Sequence, residues 1–400
     1  MIVSVNRLVV LDQSAGPLVV DLVQGLASRY SEGVLLVTGS KTSLSHNQSG
    51  RCGVEVRRAP KYDKRSQLSQ VRSWLCFLLA AVRYVLLARS RDCFLVVSNP
   101  PMLGAWFWLL SRIRRVPYVM LVYDLHPEGF LHHGFLSEGS LVVKAWRTLN
   151  RRLYMGADAV VTLGERMAAT VRRSAGGECE QVFVVPPWVD VSRIRPISKE
   201  DNPFADEYVP KNSVVVLYSG NMGRGHDLES MLEASAILED EPGLFFLFFG
   251  NGEKYASAVE FASARRLSNM AVHPLQSKER FPFTLALGDL ALVSLDKGLE
   301  NLMVPSKSFF HLAAGAALVA ITNRPSELSD ILERSNVGVC VPPNDPTMLA
   351  AVILRLARDR ATRQKMQRRA RQLAEQRYSA DSGISAFTTI LEGAGLVSDN

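Results

Sequence analysis

The sequence predicts an α/β chain made of two doubly wound, Rossmann-like domains facing a central cleft. Three observations carry that expectation: the length, a long alternation of short apolar runs with helical patterns, and one polar interruption in mid-chain. The 400 residues suit two domains, each large enough to bury its own core.

The alternation comes next. Apolar, β-rich runs fall at 8–11, 34–38, 94–98, 118–123, 159–163 and 182–185, then at 214–219, 244–249, 270–273, 290–294, 317–321 and 338–341. Most are continuous rather than alternating, as strands buried on both faces must be. Helical stretches lie between them, so the repetition is βαβ and the sheets should be parallel. The interruption is residues 191–213, which are polar and hold Pro196, Pro203 and Pro210. It divides the chain into a first domain over 1–190, a linker over 191–213 and a second domain over 214–377. Residues 378–400 form a terminal helix and tail that could pack back on the first domain.

Composition narrows the class. With 47% hydrophobic and 21% charged residues the chain is ordinary for a globular protein. Cys52, Cys76, Cys93, Cys179 and Cys340 are scattered, odd in number and without CxxC spacing. This argues against a disulfide framework or a structural zinc site and favours reduced, packed thiols. The N-terminal residues read as a buried strand rather than a signal peptide. No apolar stretch is long enough for a spanning helix.

The net charge of +7 is unevenly spread. Residues 51–115 hold 13 Arg and Lys against only Glu55, Asp63 and Asp92. Residues 355–377 hold nine against Asp359 and Glu375. Two basic zones suggest an anionic partner. No nucleic-acid motif accompanies them, so an anionic membrane surface is preferred to nucleic acid. Within the first zone, 66–90 read as a helix with Arg72, Arg83 and Arg89 on an apolar body and Trp74 and Tyr84 available for a headgroup boundary. It fits an interfacial helix as well as a core helix with snorkelling arginines. The neighbouring Arg57, Arg58, Lys61, Lys64 and Arg65 favour lipid contact. Residues 102–113 are apolar all round and are expected to be buried.

The motifs exclude two nucleotide classes, since there is neither a GxGxxG fingerprint of the right spacing nor a GxxxxGK[ST] loop. What does occur is a strand, a glycine turn and a helix from Val215 onward, through Gly220-Asn-Met-Gly223-Arg-Gly225-His226. Such a turn lets backbone amides approach phosphate. Further on, Val304-Pro-Ser-Lys-Ser precedes another strand. Ser306 is expected to cap a helix and Lys307 to sit in its first turn, an unfavourable place for a cation unless it meets an anion.

Asp124-Leu-His-Pro-Glu128, Pro186-Pro-Trp-Val-Asp190, Tyr218-Ser-Gly-Asn-Met-Gly223, Phe249-Gly-Asn-Gly252 and Val304-Pro-Ser-Lys-Ser-Phe-Phe-His-Leu-Ala-Ala-Gly315 occur in that order. Together they resemble the family 4 glycosyltransferases, in the branch that builds bacterial O-antigen, capsule and exopolysaccharide. The resemblance covers about residues 1–392. It implies the GT-B fold, a nucleoside-diphosphate sugar donor, retention of configuration, and no metal or other cofactor. It assigns Lys307, with Arg224 as second cation, to the donor diphosphate. Gly220, Asn221 and Gly223 would lie beside the same phosphates and Gly250 and Gly252 beside the base, and Ser306 belongs to the same donor site. Gly16 would close on the diphosphate from the first domain. Asp124, His126 and Glu128 would line the acceptor side, where a glycan or lipid-linked acceptor is expected. The place of work would be cytoplasmic, peripheral on the inner face of the membrane.

The chain also departs from the family pattern. The usual pair of glutamates seven residues apart is replaced by Leu302 and Phe310, leaving Glu300 and Glu327 as candidates for the ribose. This motivates a competing reading, a catalytically weak GT-B subunit that binds or scaffolds within a polysaccharide assembly complex. A sugar-nucleotide epimerase of the same layout is a third.

Overall fold

In a computed structural model, residues 5–40, 53–63, 65–177, 179–223, 225–295 and 297–397 are described. The chain forms two compact units, Met1–Pro186 with Asp381–Asn400, and Pro187–Ala380.

The first unit runs β1 (Arg7–Leu11), α1 (Pro17–Leu26), β2 (Val34–Thr38), β3 (Val54–Arg58), α2 (Gln67–Leu86), β4 (Asp92–Val97), α3 (Leu103–Arg114), β5 (Tyr118–Val122), α4 (Glu128–His132), α5 (Leu141–Gly156), β6 (Ala159–Thr162), α6 (Glu165–Ala175) and β7 (Val182–Val184). Its sheet is parallel, in the order β3-β2-β1-β4-β5-β6-β7. The central strands are buried along their length, as their unbroken apolar runs require. The order reverses between β1 and β4, and at such a point the loops after the two strands part and leave room for a ligand.

The second unit runs α7 (Ala205–Tyr208), β8 (Val214–Asn221), α8 (Leu228–Ile237), β9 (Leu244–Asn251), α9 (Tyr255–Arg265), β10 (Met270–Pro274), α10 (Phe281–Leu285), β11 (Leu290–Ser294), α11 (Lys307–Ala313), β12 (Ala317–Ile321), α12 (Glu327–Ser335), β13 (Gly338–Val341), α13 (Pro346–Arg358) and α14 (Arg360–Arg377). Its parallel sheet has the order β10-β9-β8-β11-β12-β13, with the reversal between β8 and β11. The core gathers Tyr218, Phe246 and Phe248 from the strands with Met231, Leu349 and Ile353 from the helices. The last helix, α15 (Ala380–Gly393), returns to the first unit. There Glu392 pairs with Arg29 at 3.3 Å, and Ile384 lies against Gly25 so closely that a Cβ there would come within 2.7 Å of it.

Four details differ from the sequence expectations. β3 is an edge strand that the sequence expectations did not include, and its residues Val-Glu-Val-Arg-Arg are mostly exposed; Arg57 and Arg58 of the basic cluster lie on it. Residues 191–213 are held inside the second unit rather than strung as a free linker. The Asn202 side chain donates to the Phe283 carbonyl at 2.8 Å, and Lys199 pairs with Asp289 at 2.6 Å. Part of the basic segment 355–377 is used within the fold. Buried Arg363 donates to the carbonyls of Leu356 and Ala357, and Arg371 to those of Val191, Ile194 and Ala313. Helix α3, expected in the core, buries only one face and leaves Trp106, Leu109 and Ile113 exposed.

That last feature belongs to a larger surface. α2 packs on α3, and α3 on α5. Outward from α2 project Leu68, Val71, Leu75, Leu79 and Leu86, and from α5 project Leu141, Val142 and Met155. The three helices carry no Asp or Glu, but they carry Arg72, Arg83, Arg112, Arg114, Lys144, Arg147, Arg151 and Arg152.

Candidate functional site

In the second unit the residues that matter meet at the reversal between β8 and β11. β8 ends on Tyr218-Ser-Gly-Asn221, and α11 begins on Lys307. The Lys307 ammonium donates to the Tyr218 hydroxyl at 2.8 Å and to the Asn221 carbonyl at 3.2 Å. It stands 4.6 Å from the centre of the Tyr218 ring, where the ring's negative face attracts a cation. The Tyr218 hydroxyl donates in turn to the same Asn221 carbonyl at 2.6 Å. The fully buried tyrosine thus fixes the turn and braces the lysine together.

Gly220 makes this close approach feasible. Its φ is +143°, a region side chains rarely enter, and a Cβ there would lie 2.8 Å from Lys307 Cε. Gly250 stands opposite Gly220 in the strand register. At Gly252, with φ +109°, a Cβ would meet the Asn221 side chain at 2.5 Å. Asn221 is exposed and Gly223 half-exposed just beyond. Asp227 anchors the far end of the turn. Its backbone N–H donates to Ser294 Oγ at 3.0 Å, and its carboxylate accepts from the backbone N–H of Ser230 at 3.1 Å and of Asn344 at 2.7 Å. The loops after β8, β11 and β13 are thereby tied together. One turn below Lys307, His311 is buried, and burial, aided by the Lys307 charge, pushes its imidazole down to about 3. It is neutral at physiological pH and adds no competing charge.

The expected donor residues do not all converge. Lys307, Gly220, Asn221, Gly223, Gly250 and Gly252 do. Ser306 precedes α11 but is itself helical, at φ −57° and ψ −25°, and its side chain caps nothing. An N-cap needs extended backbone to aim its oxygen at the first turn, and the amides of Ser308 and Phe309 bond instead to the carbonyls of Pro305 and Ser306. Glu327 is buried in the first turn of α12, next to a capping box formed by Ser326 and Ser329. Glu300 accepts from the Asn323 side chain at 2.8 Å. Phe310, in the position of the missing glutamate, packs edge-on against Phe281 at 5.5 Å. Arg224 and Lys64 lie outside the described residues.

In the first unit the loops after β1, β4 and β5 carry the candidates. The Gln13 amide donates to the Asn99 carbonyl at 3.3 Å, joining the first two loops. Ser98 Oγ accepts from the backbone N–H of Tyr123 and Asp124, at 2.9 and 3.0 Å, joining the third. Asp124 is exposed there. Gly16 precedes α1 in extended backbone, and a side chain at that position would meet nothing within 4 Å. His126 packs among Phe130 at 5.0 Å and Trp146 at 6.1 Å. Its carbonyl accepts from the Asn150 side chain at 2.5 Å, while Nδ1 is buried without a hydrogen-bond partner. Burial lowers its pKa, against the opposing pull of Asp124 and Glu128, so the ring is a neutral one. Glu128 is held by Arg147 at 3.1 Å.

Sequence reading missed Asp12. It follows β1, is only 2% exposed, and accepts from the Ser14 amide at 2.9 Å. Burial pushes its carboxyl up to about 7, despite the Ser14 hydrogen bond. The signal was available, as an acid directly after the apolar run Leu8–Leu11. Tyr218, a hydroxyl directly after the apolar run Val214–Leu217, gave the same kind of signal.

Comparison with known proteins agrees with this fold. Residues 15–188 match the family described as glycosyl transferase 4-like domain, and residues 199–373 match glycosyl transferases group 1. WbjE of Pseudomonas aeruginosa, named a probable glycosyltransferase, is 31% identical over 75% of this chain and 74% of its own. WcaI of Escherichia coli, whose name assigns it as a glycosyl transferase to colanic acid biosynthesis, is 28% identical over 71% of this chain and 70% of its own. Among solved structures, Anabaena HepE in complex with UDP and glucose superposes with a TM-score of 0.72 at 14% identity, covering 97% of this chain and 99% of its own. WaaG, a glycosyltransferase involved in lipopolysaccharide biosynthesis, gives 0.69 at 14% identity, with 96% and 99% covered. At such identities these superpositions show the fold.

Proposed function

This chain belongs to the family 4 glycosyltransferases of GT-B fold that serve polysaccharide biosynthesis, and from that premise we propose that it moves a sugar from a nucleoside diphosphate to a hydroxyl of a lipid-linked glycan. The observation that carries this is the Lys307 ammonium, braced by Tyr218 over the glycine turn at the sheet reversal of the second unit. When a glycosidic donor breaks, negative charge grows on the leaving diphosphate. A cation and backbone amides already in place stabilise that charge without reorganising. The charge is met by the chain's own side chain, so this reading asks for no metal. Transfer is with retention, the leaving phosphate taking the acceptor proton on the same face, and the sugar is a hexose or a relative of one. The solved relative HepE, crystallised with UDP and glucose, supports a donor of this class.

The acceptor side is assigned to Asp124, with neutral His126 beside it and Gly16 leaving the backbone before α1 open. The exposed Asp124 carboxylate is suited to accept a hydrogen bond from an acceptor hydroxyl. Radiolabelled sugar nucleotides incubated with membrane extract should give labelled lipid-linked product with one of them. Absence of product with all, together with binding of a glycan alone, would favour the scaffold reading that the Leu302 and Phe310 departures suggest.

The α2–α3–α5 surface supports a peripheral place on a membrane, at its cytoplasmic face. Among the described residues no helix is long and apolar enough to cross a bilayer. An apolar layer on helices that carry cations and no carboxylates suits an interface, where side chains enter the acyl boundary and cations stay with anionic headgroups; Arg147, paired with Glu128 and Glu138, is not among the available cations. Leu75 and Leu79 are 55% and 68% exposed, so changing both to Glu should leave the fold intact. Flotation with phosphatidylglycerol vesicles should then fall by roughly tenfold or more; an unchanged partition removes this surface from membrane binding.

A further inference from the structure

The first unit holds a second concave feature that sugar transfer does not use. A cavity of about 390 Å³ lies where β1 and β3 meet the C-terminal end of α2, lined among others by Arg7, Arg57, Arg83 and Arg89. Arg7 opens β1, whereas Asp12 follows its other end, so the cavity is apart from the acceptor-side residues. Its volume is that of a small-ligand site.

The charges inside do not balance. Arg7 is held by both oxygens of Asp92, at 3.0 and 2.7 Å. Arg57 pairs with Glu55 at 2.5 Å, and Arg89 pairs with Glu32. Among the described residues Arg83 has no carboxylate partner. Three carboxylates thus answer three of four guanidinium groups and leave one positive charge, which a single phosphodiester would neutralise. The planar fork of an arginine matches phosphate oxygens two at a time. The rim is of another kind. Leu87 lines the cavity and is 67% exposed, next to Leu86 at 42%, and both continue the apolar face of α2. A cationic interior with an apolar lip fits an amphiphile, the anionic head inside and the chains along the helix.

We propose that this cavity takes the phosphodiester headgroup of an anionic phospholipid, with Arg83 as its pairing group. The assignment rests on the membrane-facing reading of α2 and adds to it a discrete headgroup site. It is tested by titrating the whole chain with dihexanoyl-phosphatidylglycerol, which is soluble as a monomer. Dihexanoyl-phosphatidylcholine and inorganic phosphate serve as the other arms. The wild type should bind the glycerol lipid more tightly than either, and Arg83→Ala should bind it roughly tenfold more weakly with an unchanged circular dichroism spectrum. Leu79→Glu should retain the soluble lipid while losing vesicles. Equal binding by Arg83→Ala and wild type overturns the site. So does equal affinity for the choline lipid, which removes charge recognition, or for inorganic phosphate, which removes the lipid. Soluble lipid bound through Arg83 with no vesicle binding by the wild type would keep the cavity and sink only the docking surface.

Discussion

Replacing Lys307 with alanine is expected to slow sugar transfer by about 10²–10³-fold, or about 2.7–4 kcal/mol, the loss typical when one preorganised donor to a developing anion is removed. The fold should survive. Lys307 is half-exposed at the start of α11, and alanine is the best helix former. The effect should appear in kcat and in kcat/KM alike, because the diphosphate carries more charge in the transition state than in the bound donor. A rise in KM alone would make Lys307 a ground-state contact. Gly220→Ala should reproduce much of the loss without removing the ammonium, since a Cβ there would stand 2.8 Å from Lys307 Cε and 3.2 Å from its Nζ, and the backbone is at φ +143°. Assay of initial rates over a range of donor concentrations separates these cases.

Asp12→Asn should stabilise the first unit by about 4 kcal/mol above neutral pH and by little in acid. The folded-state pKa is raised from its ordinary 3.8 to about 7 by burial, so the folded chain holds the proton more tightly than the unfolded one. Stability is therefore fully present below about pH 4 and is lost as pH rises through about 7. The amide keeps an oxygen for the Ser14 N–H but has no charge to desolvate. Denaturant unfolding of both proteins from about pH 4 to about pH 8 should show the wild type losing stability while the variant stays flat. Parallel curves would mean that Asp12 is solvated when ionised.

Much of this architecture is legible in the sequence because parallel strands buried on both faces must be continuous and apolar. All twelve expected runs are strands, including the short Val182–Val184. β3 escapes for the complementary reason. It is an edge strand, and Val-Glu-Val-Arg-Arg has the polarity that keeps an open edge from pairing with other chains. α3 misleads because an all-apolar helix has no polar face to say which side is wet. Its outer side is apolar and exposed, which is itself the informative result. At the site, Lys307 and the glycines were readable from their motifs, since each motif ends a strand or opens a helix at the same edge of the sheet. The capping role given to Ser306 depended on backbone angles that Pro305 and the following turn decide. Glu327 opens α12 at its first position, two residues before the capping-box position that Ser329 fills. Asp12 and Tyr218 matter through burial, which the apolar runs before them signal and the packing of the sheet completes.

If the second unit grips a nucleoside diphosphate at the Lys307–Tyr218–Gly220 turn, titration calorimetry of UDP, GDP and ADP into the wild-type chain and into Lys307→Ala will show it. At least one nucleotide should bind the wild type, and the alanine variant should bind that nucleotide roughly tenfold or more weakly. Binding of none of the three, or equal affinity in the two proteins, would contradict the claim.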